Sequence, residues 1–503
     1  MPEIVVPFGQ LATDQPPFGG GDVIVARNVI PRTRSYGPFR ALVTISSNAL
    51  TARARSAISA RDENSTVFIY SGDATKLYEL PPGAVWTDES LAAYTSTDQD
   101  NWEFALWNEN NKIIASNYSD AVQSITIGKG TTENFANMIT TPSSDAPKFK
   151  HIGIVHRFVV GGWTNDVDGE NPTRIRWSGI ADETDFAPSS ATQSDLEDLA
   201  TGGSVSRIIG GTEYGLIFQD SMVRTMRYVG AGPVFELFPI EYAPGTPIPG
   251  SVVAHKGAAF YISEDGFMSI INGQVVPIGS DKVDRYFWDQ FDIADRRYVT
   301  AAIDPPNKIV AWAFPGTGKT TLPNRVLMCK YDENKWAEAV IDTEVLLNTA
   351  TQGETLDGLD ASVGTDIDNA TLFPESFDSD RWKGGQYRFG AINHSHKLGH
   401  FTGATLAATI DTGDMQLIPG FRSQVNGVVP LMDAGTANVS VASRQRLKDS
   451  VSYGSAAALN QSGVCPVRGS GVYHRFRLSL TSSTSWSHVQ GLKLQFEGPL
   501  GVR

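Results

Sequence analysis

The sequence predicts an all-β protein, and three observations carry that expectation. Short apolar runs recur along most of the chain, among them TVFIYSGD, KIIASN, HRFVVGGW, YGLIFQD, AAFYIS, FMSII, KIVAWAF and RVLMCKYD. They are rich in β-branched and aromatic side chains and bounded by turn residues, which is the pattern of strands. Glycine (48) and proline (27) are plentiful enough to supply many turns. Helical periodicity is scarce.

The clearest element is AAFYISEDGFMSIINGQVVPIG. Asp265-Gly266 and Asn272-Gly273 are hairpin dipeptides, since both favour the positive φ that tight turns need. They divide the stretch into strands over 258–262, 267–271 and 274–278, an antiparallel meander.

A weak repeat suggests how such strands are organised. In RVLMCKYDENKWAEAVI, a strand reaches Tyr331-Asp332, turns, and reopens at Trp336. KLYELPPGAVWTDESL has the same shape, from Leu77-Tyr78 through a Pro-Gly turn to Trp86, and RIRWSGIADETDF echoes it around Trp177. The YD…N.W arrangement resembles the outer strands of kelch-type propeller blades. Residues 51–350, at about 40–50 residues per blade, make a β-propeller of six or seven blades. A propeller also removes the exposed edges that so many short strands would otherwise leave. A pair of β-sandwiches is the competing arrangement.

The remaining segments frame this zone. Residues 1–50, with DQPPFGGGDV and NVIPRTRSYGPF, read as an extended arm without its own core, packing on another domain or a neighbour. SDKVDRYFWDQFDIADRR is the best helix: Ser280 can cap it, and Val283, Phe287 and Phe291 share one face. Residues 351–380 are acidic and turn-rich, a linker or insertion. Residues 381–503 form a second β region, a sandwich-like or barrel-like platform. There Phe476, Leu478 and Leu480 alternate with Arg475, Arg477 and Ser479.

Charge is unevenly spread. The net value is −14, but from Arg381 onward 13 Lys and Arg face 5 Asp and Glu, net +8, leaving −22 for residues 1–380. The acidic part should repel nucleic acid. The basic part could dock on an acidic neighbour or pair with carboxylates of its own chain. Two cysteines, Cys329 and Cys465, imply no disulfide framework. MPEIVVPFGQ has neither a basic n-region nor an apolar core, so no signal peptide is expected. No apolar run approaches the roughly 18 residues of a membrane helix, so no membrane insertion is expected.

Four constellations invite chemistry. Pro315-Gly316-Thr317-Gly318-Lys319-Thr320 imitates a phosphate loop. The motif needs a glycine where Ala313 stands, and a helix where Pro323 and a β run follow, so the amides cannot converge on an anion. A hairpin tip presenting Lys319 is expected instead, with no nucleotide site. His394, His396 and His400 have the even spacing of one strand face, which could bind Zn²⁺ or Ni²⁺, although an exposed polar face is the plainer reading. NDVDGENP and TDIDNAT faintly resemble Ca²⁺ loops. Thr164 holds the first ligand position of one, and the other lacks the turn glycine, so both read as solvated turns. Hydrolase and zinc-protease signatures are absent from the sequence, so no catalytic or metal residue and no cofactor is assigned.

One resemblance covers most of the chain, from about residue 20 onward. GGTEYGLIFQDSMVRTMRYVG and PGSVVAHKGAAFYISEDGFMSIINGQVVPIGSDKVDRYFW resemble the β-propeller tail proteins of short-tailed bacteriophages. ARNVIPRTRSYGPFRAL and YHRFRLSL…WSHVQGLKLQF are similar in style to the ends of such proteins. The family comprises nozzle or head-completion proteins. The resemblance implies a non-enzymatic virion component, assembled in the host cytoplasm, with six copies in a ring around the DNA exit channel. One face would meet portal or adaptor proteins, tail fibres or spikes would attach nearby, and genomic DNA would pass without specific binding. The rival expectation, motivated by abundant carboxylates and aromatics, is a propeller adhesin or glycan-acting enzyme on host surface polysaccharide.

Overall fold

Seven four-stranded antiparallel units follow one another around an axis in the computed structural model. It describes residues 2–500 apart from 19–20, 84, 98–99, 131, 143–145, 231, 317–321 and 352–384. The units are called blades below. Their first strands are Ser56–Arg61, Glu103–Trp107, Lys148–Val155, Val205–Ile209, Val253–His255, Thr300–Asp304 and Val345–Ala350. Blades one to six each use four consecutive strands. The arrangement is propeller-like, and no helix among the described residues is long and apolar enough to cross a membrane.

Apolar side chains fill the wedge between each pair of neighbouring blades, which is why the strands are hydrophobic on both faces. Tyr70 and Leu77 of blade one pack with Trp102 and Ile113 of blade two. Trp107 and Ile114 meet Phe149 and Phe186. Phe158 and Trp177 meet Ile217 and Phe235. Phe218 meets Tyr261 and Met268. Phe267 of blade five meets Trp312 and Trp336 of blade six. Leu346 and Ala391 of blade seven join that same core, while Val345, Leu347 and Ile392 pack on Ile69 and Leu80 of blade one and close the circle.

Blade seven corrects the expected boundaries at 350 and 381. Its strands are Val345–Ala350, Tyr387–Ile392, Leu398–His400 and Val43–Thr44. Tyr387–Ile392 pairs antiparallel with Val345–Ala350, from Ala350↔Tyr387 to Val345↔Ile392. The acidic stretch 351–380 therefore falls between two partners of one sheet, and all of it after Thr351 lies outside the described residues. The outermost strand comes from the N-terminal segment, through Gly399↔Thr44 and His400↔Val43. Closing the last blade with a distant piece of chain ties the circle shut and leaves only a two-residue outer edge there.

The chain ends build a two-sheet platform. One sheet runs Val29–Arg32, Ser35–Pro38, Val489–Leu500, Arg422–Met432 and Gly469–Gly471, with Glu3–Pro7 also paired to Val489–Leu500. The other runs Val23–Arg27, Ala408–Thr412, Tyr473–Leu480, Ala437–Arg444 and Ala457–Ala458. Phe476, Leu478 and Leu480 are buried as their alternation requires, in one core with Val425, Leu492 and Phe496 of the opposite sheet. That core also holds Trp312 and Trp336 of blade six. Val23–Arg27 pairs in parallel with the last strand of blade six at Arg27↔Glu338, so platform and propeller-like part share one sheet as well as one core. Cys329 and Cys465 are buried and free.

The meander forms as expected, with strands Ala258–Ser263, Gly266–Ile271 and Gln274–Pro277. Its Asn272-Gly273 turn has φ of 50° and 73°, the double positive φ of a type I′ hairpin. The expected helix shrinks to Asp284–Gln290, with Val283, Phe287 and Phe291 in the core. Ser280 does not cap it. The Asp14 carboxylate of the N-terminal arm accepts from Arg285 N at 2.8 Å and Tyr286 N at 2.9 Å instead. Removing those acceptors orphans two amides, so Asp14→Ala is expected to cost about 1 kcal/mol, read as a lower urea midpoint at unchanged slope.

Candidate functional site

The first strands of all seven blades run along the axis, and near their starting ends lies a cavity of about 470 Å³. Residues at or beside the start of each first strand contribute to its lining: Ser56, Glu103, Lys150, Ser206, Val252, Thr300 and Val345. Its volume falls in the range of pockets that hold one small ligand.

Blade three shapes one side. Its second strand carries Gly161 and Gly162, where a Cβ would meet Phe149 Cδ1 at 2.2 Å and Val205 Cγ1 at 2.7 Å. Gly162 lets blades three and four approach closely, and Gly161 makes room for Phe149 of its own blade. The register then shifts between Gly162 and Thr164, leaving Trp163 at φ 52°. A bulge of this kind re-aims a side chain. Trp163 stands with its ring under the Lys150 ammonium, 4.2 Å from the centroid, and donates from Nε1 to Glu170 Oε1 at 2.8 Å.

The lining is basic. Among the described lining residues, Arg55, Lys150, Arg207, Arg296 and Arg297 stand against two carboxylates, Glu103 and Asp220. Glu103 is buried; its carboxylate meets His151 Nδ1 at 2.7 Å, Ile152 N at 3.1 Å and the Arg207 guanidinium. Burial alone would raise its pKa, but Arg207 and then His151 outweigh that and hold it at about 2. Asp220 is occupied at the rim, accepting from Ser204 N at 2.7 Å. Lys150 lies 3.4 Å from Asp100. Arg55 donates to Ser96 Oγ at 2.7 Å and Asp100 O at 3.1 Å. Arg296 and Arg297 meet no carboxylate among the described residues. Arg297 and Arg53 lie over the Tyr298 ring at 4.7 and 4.9 Å, which brings two cations together. Four buried polar atoms of the lining have no hydrogen-bond partner among the described residues: Ser206 Oγ, Arg207 Nε, Arg297 Nε and Asn101 Oδ1.

The constellations flagged in the sequence come apart. His394 Nε2 lies 3.1 Å from both Pro323 O and Thr343 O, and His396 Nδ1 lies 2.7 Å from Glu344 Oε1. His400 is buried in its strand, where burial, helped by Arg388, lowers its pKa to about 4. The turn at 393–397, closed by Asn393 N to Lys397 O at 3.0 Å, destroys the even spacing. No group of three metal-ligating side chains occurs among the described residues. In NDVDGENP, Asp166 and Asp168 are spent on Arg174, at 3.3 and 2.8 Å, and Asp166 also on Arg176 at 3.1 Å. TDIDNAT lies outside the described residues, as do Thr317, Gly318, Lys319 and Thr320. The strands flanking that loop pair antiparallel at Phe314↔Arg325, and strand Arg325–Lys330 follows where a phosphate loop requires a helix.

The axial cavity itself was not anticipated. It draws at least two residues from each blade or the segment leading into it, far apart in sequence, and only Trp163 beside two glycines hints at a bulge.

Comparison with known proteins leaves function open. No family model and no curated protein matches the chain. Among solved structures, it is similar to virginiamycin B lyase from Staphylococcus aureus, at 11% identity and TM-score 0.38, over 62% of this chain and 94% of that one. PorZ of Porphyromonas gingivalis matches at 8% identity and TM-score 0.35, over 61% of this chain and 35% of that one. An exo-beta-1,3-galactanase from Phanerochaete chrysosporium matches at 10% identity and TM-score 0.29, over 92% and 99%. These are propeller-like all-β proteins, and the likeness extends no further than that.

Proposed function

We propose that the chain is a structural component of a bacteriophage tail, a nozzle or head-to-tail completion protein. In this reading it is a seven-bladed β-propeller on a β platform, and copies form a ring around the DNA exit channel, six as the family resemblance implies. The observation that carries the reading is the path of the N-terminal segment. It supplies platform strands at 3–7 and 23–38, caps a helix through Asp14, and closes blade seven at 43–44. Both parts are thereby locked into one body, which suits the subunit of a rigid ring.

Charge supports the same reading. Residues 44–400 carry net −19, while residues 1–43 with 401–503 carry +5. An acidic body lets DNA slide past without sticking. DNA passes between copies along the ring axis, because a side-chain-lined cavity of about 470 Å³ cannot admit a duplex whose major groove alone is about 12 Å wide. Much of the platform's positive charge is neutralised within it: Arg475 meets Asp414 at 2.7 Å and Arg477 meets Asp411 at 2.7 Å. Arg446, Lys448 and Arg468 are exposed and make no ion pair among the described residues, so they are offered to a partner: a second copy, or portal, adaptor, fibre or spike proteins.

Native mass spectrometry of the purified chain tests the assembly. A closed ring is expected, weakened by raised salt and by Arg446→Glu with Lys448→Glu at unchanged melting temperature. A strict monomer at every concentration and salt removes the reading. The axial cavity favours a second reading, sugar binding.

A further inference from the structure

We infer that the axial cavity binds a compact hydroxylated anion, the chemistry of a sugar acid or a sugar phosphate. The inference rests on the cavity alone, not on ring assembly, so the two fail separately.

The anionic requirement comes from Arg296 and Arg297. The other cations of the lining already have work: Arg207 neutralises Glu103, Lys150 is near Asp100, and Arg55 donates to Ser96 and Asp100. Among the described residues Arg297 donates only to Tyr298 OH, at 3.0 Å, and its Nε meets no partner. A guanidinium pair beside a carboxylate or phosphate forms charge-assisted, bidentate bonds that water cannot match.

The hydroxyl requirement comes from two other atoms. Ser206 is 5% exposed and its Oγ has no partner. Asn101 gives its Nδ2 to Arg297 O at 2.7 Å, which fixes the amide and leaves Oδ1 as a buried acceptor without a donor. Buried polar atoms are normally satisfied, and these orphans sit in one cavity. An inorganic oxyanion fully ionised has no proton for Asn101 Oδ1; a sugar hydroxyl does. Trp163 adds an aromatic face of the kind on which a sugar ring packs, and about 470 Å³ holds one such ring rather than a chain.

Titration calorimetry on the full-length protein tests this with four probes: glucuronate, glucose 6-phosphate, glucose and inorganic phosphate. At least one anionic sugar is expected to bind at least tenfold more tightly than either glucose or phosphate, and which of the two wins distinguishes the sources. Arg296→Ala, on an exposed backbone segment, and Arg297→Lys are each expected to weaken binding about tenfold. Ser206→Ala should weaken it several-fold, with melting temperatures within error of wild type. Failure of both anionic sugars to bind overturns the inference. Phosphate binding as tight as the sugars overturns the hydroxyl requirement, and equal binding by Arg296→Ala and Arg297→Lys overturns the location.

Discussion

Trp336→Ala is expected to destabilise the chain by about 4 kcal/mol, the largest loss from any single truncation proposed. Trp336 is fully buried at the junction of blade five, blade six and the platform core. Its ring stacks on Trp312, with centroids 5.7 Å apart and planes 17° from parallel, and meets Phe267 edge-on at 4.9 Å. Its Nε1 donates to Ile278 O at 3.0 Å and Asn334 Oδ1 at 2.9 Å. Alanine leaves a cavity that three elements cannot close together and strips the Ile278 carbonyl of a donor, worth about 1–3 kcal/mol when buried. Tyr242→Ala is the control, since Tyr242 is 88% exposed and should change stability by less than about 0.5 kcal/mol. Urea unfolding followed by circular dichroism separates the two; equal midpoints would show that the junction is not a shared core.

Glu103→Gln is expected to cost about 3 kcal/mol at pH 7 and to flatten the acid side of the stability curve. The variant leaves Arg207 and His151 facing a neutral amide where Glu103 was buried. The pH dependence has a definite direction. Glu103 releases its proton near 4.5 in the unfolded chain but holds its charge down to about 2 when folded. Between these values the unfolded chain binds more protons, so this contribution is complete above about 4.5 and is lost as pH falls towards 2. The difference corresponds to roughly 3 kcal/mol. The stability gap between wild type and variant should therefore narrow from pH 4.5 to 2. A gap constant across that window would contradict the ion-pair account.

Local features were legible in the sequence, and those made by distant pairing were not. The meander declared itself because Asp265-Gly266 and Asn272-Gly273 carry their turn geometry in two residues. Trp86, Trp177 and Trp336 each fill a core between blades, just before a fourth strand, at the end of a third strand and within a fourth strand respectively. The alternation at Phe476, Leu478 and Leu480 announced a half-buried platform strand. Blade seven gave no such sign: Val43 and Thr44 are a two-residue strand whose partner lies more than 350 positions away. The break placed at 351–380 followed composition, and composition says nothing about whether Ala350 and Tyr387 pair across it. Asp14 replaced Ser280 as the helix cap for the same reason, since a carboxylate from the arm competes equally well once the fold brings it there. The histidine spacing misled because a turn, not a strand, carries His394 and His396. The cavity was invisible because its orphaned atoms, at Asn101, at Ser206 and Arg207, and at Arg297, come from three distant parts of the chain and become neighbours only on folding.

Locating the chain in purified virus particles by electron cryomicroscopy tests the central claim most directly. The account predicts several copies in a closed ring on the tail axis, with the acidic propeller-like bodies facing the DNA path and the platforms at subunit contacts. Particles that contain no copy of the chain, or carry it only as isolated units away from the DNA exit channel, would contradict it.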